Sequence, residues 1–248
     1  MLKKQGKIVK TRKWLLIIII TIMLVIGVGL WMLASYPYGE EAKKSLKSDE
    51  NFTVDNGDYI VFSSNYINST TGFIFYPGAK VEPESYAPLC KKVSEAGYTV
   101  VIVPMPLNFA IFDSDKAEDV IAKFPEIKKW AIGGHSLGGV MACKYAAEDE
   151  KIKAVALYAS YPQKDEIENL GKKVVTIWGD TDGVANIENI KGAKLPEDSN
   201  YVEIIGGNHA QFGDYGKQKS DNDATITSEE QINIAADATI DLLNSLNQ

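Results

Sequence analysis

A single serine stands among four glycines in the stretch AIGGHSLGGV, Ala131–Val140. A serine hydroxyl becomes a strong nucleophile when a neighbouring base removes its proton. The residues Gly134–Gly138 fit the pattern G-x-S-x-G, between a short apolar run and a helix-like stretch. A tight strand–turn–helix exposes such a serine, and its glycines avoid collisions between a Cβ and the adjoining backbone. The pattern predicts Ser136 as a nucleophile, with a purely structural glycine-rich turn as the alternative.

The base for this serine must be one of two histidines, because the chain contains only His135 and His209. Histidine suits proton transfer near neutral pH. On a tight turn the side chain of His135 points into the strand–helix packing, so we expect it to pack behind the site. His209 lies in the glycine-rich loop IIGGNHAQF, just after the last predicted strand. We expect His209 to be the base, and a surface histidine without a catalytic role is the alternative.

A third group is needed to orient the imidazole and to stabilise its charged form. The loop after the strand-like run KVVTIW reads GDTDG and stands at the carboxyl end of that predicted strand. Asp180 and Asp182 are both candidates for this role. An aspartate in such a loop is also typical of a turn residue, because its side chain can bond its own backbone.

The order serine, aspartate, histidine around a G-x-S-x-G turn resembles the α/β-hydrolase family. The resemblance runs from about Tyr59 to Leu246, and the chain looks most like compact bacterial members near the dienelactone-hydrolase-like serine esterases. It implies an acid three residues beyond the strand-ending glycine, which selects Asp182 over Asp180. The dienelactone hydrolases proper carry a cysteine where this chain has Ser136, so their lactone substrate is not expected here.

The resemblance also implies an oxyanion hole made of two backbone N–H groups. One would belong to Leu137, at the start of the helix after the serine. The other would come from the loop after the strand-like run GFIFY, where many relatives have His-Gly and this chain has YPGAK. We expect Ala79 to supply the second donor, with Lys80 as the alternative.

The elements that must position these residues alternate along the chain. Several strand-like runs are apolar on both faces, as buried parallel strands are, and the last helix-like stretch begins with TSEEQ, which resembles a capping box. The alternation predicts an α/β fold with a mostly parallel sheet of about seven strands and helices on both faces. The strand-like runs are 59–64, 72–76, 98–104, 129–134, 153–159, 173–178 and 201–205, and the helix-like stretches are 83–96, 115–124, 137–148, 187–193 and 228–246.

The segment Ser160–Lys172 joins two predicted strands and has room for one short helix, so no cap domain is expected. The loop MPLNFAIFDSD carries apolar side chains where a loop is normally polar. Phe109 and Phe112 in this loop are candidate substrate-binding residues, with packing on the next helix as the alternative. The polar stretch Gly213–Thr227 is expected to be a solvated loop. An open, partly apolar site predicts small or medium ester substrates.

An uncharged apolar run of 20 residues, Leu15–Ala34, stands apart from this pattern. As a helix it is long enough to cross about 30 Å of hydrocarbon. Six basic residues precede it and three follow nearby, a bias that keeps the N-terminus in the cytoplasm and places the rest outside. We expect an uncleaved single-pass anchor in the cell membrane, with a cleaved signal peptide as the alternative. The predicted organisation is a cytoplasmic basic segment at 1–14, the transmembrane anchor at 15–34, a tether at 35–56 and a catalytic domain at 57–248.

Charge and cysteine content exclude several classes of function. The formal net charge is −7, and six of the basic residues precede the apolar run, which argues against nucleic acid as a partner. With only two cysteines and two histidines in the chain, we expect no Cys/His zinc cluster, no other metal and no cofactor. Cys90 and Cys143 fall on helices predicted to pack on opposite faces of the sheet, farther apart than the about 7 Å between Cα atoms that a disulfide allows. We expect both thiols to be free.

Together these features predict a membrane-anchored serine hydrolase that cleaves carboxylic esters through an acyl-enzyme. One alternative is an inactive or weakly active hydrolase-fold module that binds a partner at the membrane. Another is an acyltransferase or a peptidase with the same three residues. No serine is followed by lysine in the spacing S-x-x-K, which excludes the penicillin-binding proteins.

Overall fold

The computed structural model describes residues 2–67 and 69–247, with the side chains of 2–12 and 31–33 left aside. Internal contacts divide the chain into two compact units, Met1–Ser35 and Tyr36–Gln248. The side chains of most of the basic segment predicted at residues 1–14 are among those left aside. The two units are described separately.

The first unit is built on one helix, α1, Leu2–Leu33. Its 18-residue window Lys13–Leu30 is long and apolar enough to cross a membrane, and none of that window is buried inside the protein. A helix that is apolar all round and unburied is typical of a membrane span, although a signal sequence shares both properties.

The second unit contains one sheet of eight strands in the order β1-β2-β4-β3-β5-β6-β7-β8. Strands β1 and β2 run antiparallel at one edge, and the neighbours from β4 through β3 to β8 are parallel. The carboxyl ends of β3 to β8 therefore meet at a single edge of the sheet. The strands are Phe52–Asn56, Ile60–Ser64, Thr71–Tyr76, Thr99–Ile102, Lys129–His135, Ile152–Tyr158, Lys173–Gly179 and Asn200–Ile204.

The strand β1 is the one that the sequence pattern missed, so the predicted count of about seven is one short. It lies inside the segment 35–56, for which a tether was predicted, and it pairs with β2 from Phe52↔Ser64 to Asn56↔Ile60. No residue of β1 is fully buried, because the strand lies at the sheet edge, and an exposed strand lacks the apolar run that marks the others. The same segment holds helix α2, Glu40–Ser45, whose Ala42 is fully buried.

The described part of this unit also contains six helices, in addition to short 3₁₀ turns. Helices α3 and α7 contribute to the buried cluster on one face, and α4 and α5 contribute to the cluster on the other. Thr227 and Glu230 form the capping box that was predicted for α7. After α2, the helices are Ala87–Glu95, Ala117–Lys123, Leu137–Glu148, Ile187–Lys191 and Ser228–Ser245.

Strand residues alternate between the two clusters, which confirms the predicted layers. In β3, Phe73 and Phe75 belong to the α3–α7 side, whereas Ile74 and Tyr76 belong to the α4–α5 side. Between β6 and β7 the chain forms only bends and turns, so this connection carries no cap domain.

The two cysteines lie in different clusters. Cys90 on α3 packs on one face of the sheet and Cys143 on α5 packs on the other, and both thiols are free and buried. Burial raises the pKa of each thiol well above its ordinary value, so both stay protonated at neutral pH.

Candidate active site

Ser136 is the single residue between a strand and the helix that follows it. Strand β5 ends at His135 and helix α5 begins at Leu137. The backbone of Ser136 has φ 52° and ψ −123°, a conformation that residues other than glycine rarely adopt. Such strain persists only where the surroundings enforce it, and it is concentrated at functional sites.

Two glycines enforce this turn by allowing close backbone approach. A Cβ on Gly134 would lie 2.5 Å from the carbonyl carbon of Gly138, and a Cβ on Gly138 would lie 2.2 Å from the carbonyl oxygen of Tyr76. Neither distance is possible for a real side chain, so the first turn of α5 rests directly on the ends of β5 and β3. Glycines flank the serine because any side chain at these two positions would collide with the backbone.

His209 and Asp182 form a buried pair. Nδ1 of His209 lies 2.8 Å from Oδ2 of Asp182, and the two side chains are 1% and 0% exposed. The other carboxylate oxygen of Asp182 accepts the N–H groups of Val184 and Ala185, each at 2.8 Å. The carboxylate is therefore fixed from both sides, which in turn fixes the imidazole ring. Nε2 of His209 is buried and has no hydrogen-bond partner among the described residues.

Asp180, the other candidate acid, is used differently. It is exposed, and its Oδ1 accepts the N–H of Gly206 at 2.6 Å. This hydrogen bond joins the loop after β7 to the glycines after β8. The structure brings Asp182 to His209 and leaves Asp180 as a loop-forming residue.

His135 lies behind His209, at a ring-centroid distance of 4.4 Å. Its Nδ1 is 2.9 Å from the hydroxyl of Tyr86, which also accepts the N–H of Gly78 at 3.0 Å. Burial, with the nearby His209 as a smaller cause, lowers the pKa of His135 well below its ordinary value. A neutral His135 thus supports the ring of His209 without adding charge. Nothing in the sequence pattern pointed to Tyr86, because its role depends on a contact between distant segments.

The backbone donors expected for an oxyanion hole differ in availability. The N–H groups of Leu137 and Ala79 donate to no acceptor among the described residues. The N–H of Lys80 donates to the carbonyl oxygen of Asn108 at 2.7 Å. Of the two residues considered for the second donor, only Ala79 therefore has its N–H available.

The loop after β4 presents two aromatic side chains together. The rings of Phe109 and Phe112 meet edge to face at 5.7 Å, and Phe112 is 54% exposed. The short 3₁₀ turn that ends at Phe112 packs against α5, the helix that begins after Ser136. The pair is thus an apolar surface next to the helix of the nucleophile turn.

The described residues contain no group of three or more His, Cys, Asp or Glu side chains that could hold a metal ion.

The fold and this site belong to a known class of protein. The sequence model of the alpha/beta hydrolase family matches residues 72–233, which is well over half of the chain. The chain is therefore a member of the alpha/beta hydrolase family. None of the curated proteins matches its sequence.

Solved structures with the same fold are remote in sequence. A CIB-like hydrolase from Thermoplasma acidophilum is 17% identical, with a TM-score of 0.56 over 78% of this chain and 98% of that one. The esterase domain of a Rhodothermus marinus protein is 11% identical, with a TM-score of 0.57 over 77% and 94%. A bacterial membrane phospholipase A is 13% identical, with a TM-score of 0.60 over 96% and 99%. At these identities the similarity establishes the fold.

The lowered pKa of His135 predicts how stability depends on pH. The unfolded chain binds a proton at this histidine near pH 6.5, whereas the folded protein does not, so stability is lost as pH falls below about 6.5, by up to about 1.4 kcal/mol per pH unit. His135→Gln should reduce this loss, measured by urea unfolding between pH 7.5 and 5. Equal losses in the variant and the wild type would show that His135 does not stay neutral.

Proposed function

We propose that the protein hydrolyses carboxylic esters through an acyl-enzyme formed on Ser136. The observation that carries the proposal is the buried Asp182–His209 pair, held 2.8 Å apart with Nε2 of the histidine unbonded. The ring of His209 packs against His135, the residue directly before Ser136. This packing supports a position of the imidazole within reach of the serine hydroxyl.

In the proposed mechanism, Oγ of Ser136 attacks the ester carbonyl while Nε2 of His209 takes the hydroxyl proton. The same proton then passes to the departing alcohol, which leaves an acyl group on the serine. A water molecule, deprotonated by His209, attacks that acyl group, and the acid is released as the bond to Oγ breaks and the proton passes from His209 to Oγ of Ser136. Asp182 orients the ring and stabilises its charged form throughout.

The negative oxygen of each tetrahedral intermediate needs donors that are already in place. We assign this role to the N–H groups of Leu137 and Ala79, because both are available. Leu137 also begins α5, and the partial positive charge at a helix N-terminus favours an anion there. No cofactor takes part in this chemistry.

The neighbours support the ester as the scissile bond, since they include an esterase domain and a phospholipase A. A dienelactone-hydrolase-like subtype remains our proposal on the strength of the sequence resemblance. An acyltransferase or a peptidase would use the same three residues, and an inactive binding module would keep the fold without the chemistry.

The triad is tested by removing its members one at a time. Ser136→Ala and His209→Ala should each lower kcat on p-nitrophenyl acetate by about 10⁴-fold or more while the fold is retained, because nucleophile and base act as a unit. Asp182→Asn should cost a similar factor, with Asp180→Asn as the matched control that stays near wild type. A damaging Asp180→Asn with a mild Asp182→Asn would reassign the acid.

Covalent labelling separates the enzyme from the binding module. A fluorophosphonate should label wild-type protein and not Ser136→Ala. Well-folded wild type that resists the label would favour the binding module.

We propose small or medium acyl esters as substrates, because no cap domain encloses the edge and Phe109 and Phe112 offer a limited apolar wall. Phe109→Ala and Phe112→Ala should each lower the hexanoate-to-acetate ratio of kcat/KM, by about tenfold at most. Tyr66→Ala is the control, since Tyr66 is an exposed aromatic in the connection from β2 to β3. Unchanged ratios would remove both rings from the substrate site.

We further propose that α1 is an uncleaved anchor that places the catalytic unit outside the cytoplasm, because six basic residues precede the uncharged apolar run that begins at Leu15. Protease added to intact cells or spheroplasts should then digest the catalytic unit and leave a membrane-bound fragment. Protection of the unit until lysis would reverse the orientation. Release of an intact, shortened chain from the membrane would indicate a cleaved signal sequence.

A further inference from the structure

Asp221 makes more backbone contacts at this edge than any role as a solvated loop residue explains. Its Oδ1 accepts the N–H groups of Gly183 at 3.0 Å, His209 at 3.3 Å and Asn222 at 3.0 Å. Its Oδ2 accepts the N–H of Ala210 at 2.9 Å. The residue lies in the stretch Gly213–Thr227, which the sequence pattern assigned to solvent.

These donors come from both loops of the proposed triad. Gly183 directly follows Asp182, and two of the other three donors are His209 itself and Ala210, the next residue, whereas the last, Asn222, is the neighbour of Asp221. One carboxylate therefore joins the backbone of the acid loop to the backbone of the base loop. Hydrogen bonds to an ionised carboxylate are about twice as strong as those between neutral groups, so this junction is stiff.

The residues around Asp221 extend the same junction. The side-chain amide of Asn222 donates to the backbone carbonyl oxygen of Thr181 at 3.0 Å. The backbone carbonyl oxygen of Asn222 accepts a hydrogen bond from the side-chain amide of Asn208 at 2.8 Å. A Cβ on Gly183 would lie 2.7 Å from the carbonyl oxygen of Ser220, so the acid loop rests directly on this segment. The polar stretch is thus hydrogen-bonded to Thr181, the neighbour of Asp182, and to Asn208, the neighbour of His209.

We propose that Asp221 is a positioning residue for catalysis, which sets the loop of Asp182 against the loop of His209. The proposal rests on the proposed function for the reaction itself. Among the described residues, the hydrogen bonds that the Asp221 carboxylate accepts all come from backbone N–H groups and none from the imidazole ring, so it acts through His209 and not on substrate. Its removal should loosen the angle at which Nε2 meets the serine, and a displacement of about 1 Å can cost about 100-fold in rate.

The test uses the full chain in detergent, with p-nitrophenyl acetate as substrate. Asp221→Asn keeps the shape and one acceptor oxygen but removes the charge and one acceptor, so kcat should fall about 10-fold, and Asp221→Ala should lower it about 100-fold. KM should stay close to wild type in both, because binding groups are untouched. Asp223→Asn is the matched control, since that residue is two positions away and pairs with exposed Lys217.

Hydrogen exchange of the wild-type protein gives a readout that needs no variant and no substrate. The amides of Gly183, His209 and Ala210 should exchange slowly, and slower than that of Gly216 in the same polar stretch. Asp221→Asn should raise the exchange rates of these three amides together, whereas Asp223→Asn should not.

The outcomes separate this inference from the proposed function. Slow exchange with a graded loss of kcat supports the positioning role. Fast exchange of the three amides in wild type, or full kcat in folded Asp221→Asn, overturns it while ester hydrolysis stands. If wild type neither cleaves esters nor takes the fluorophosphonate, the proposed function fails and the positioning role for catalysis fails with it, even where exchange shows the junction intact. An Asp221→Asn that does not fold leaves the exchange of the wild-type amides to decide.

Discussion

The structure of the site depends on the close approach of α5 to the ends of β5 and β3. Backbone atoms meet there at distances that leave no room for a Cβ at Gly134 or Gly138. This approach forces Ser136 into a positive φ and lifts its side chain to the sheet edge. It also aligns the helix N-terminus with the loop that carries Ala79. The positions of the proposed nucleophile and of the proposed oxyanion donors thus depend on one packing contact.

A second constraint comes from burying polar groups in that edge. A buried carboxylate is costly unless hydrogen bonds satisfy it, and Asp182 is satisfied by two backbone N–H groups and one imidazole. The same logic applies to His135, whose burial favours the neutral ring and whose partner is the hydroxyl of Tyr86. The site is therefore held by hydrogen bonds that side chains make with backbone and with one another across several loops.

Most of the fold could be predicted because buried parallel strands are apolar on both faces and leave a local signal. Strand β1 has no such signal, because it lies exposed at the edge of the sheet. The sequence pattern predicts a tether for the segment that contains β1, although Ala42 in that segment is buried. The glycine pattern around Ser136 could be recognised because its residues are consecutive in the sequence, although the steric contact of Gly138 is with the distant Tyr76. The composition of the polar stretch 213–227 predicts a solvated loop. Composition cannot indicate that the Asp221 carboxylate accepts hydrogen bonds from backbone N–H groups far away in the chain.

The sequence by itself determined the layers of the sheet, the turn at Ser136 and the short list of histidines and aspartates that a hydrolytic site can use. These features depend on residue type and on neighbours within a few positions. The family resemblance favours Asp182 and Ala79, and the tertiary structure shows the contacts themselves: Asp182, not Asp180, bonds His209, and Ala79, not Lys80, has an available N–H. The tertiary structure alone brought Tyr86 and Asp221 to the site. These choices depend on contacts between segments far apart in the chain, and hydrogen-bond geometry at that range is set by the packed sheet.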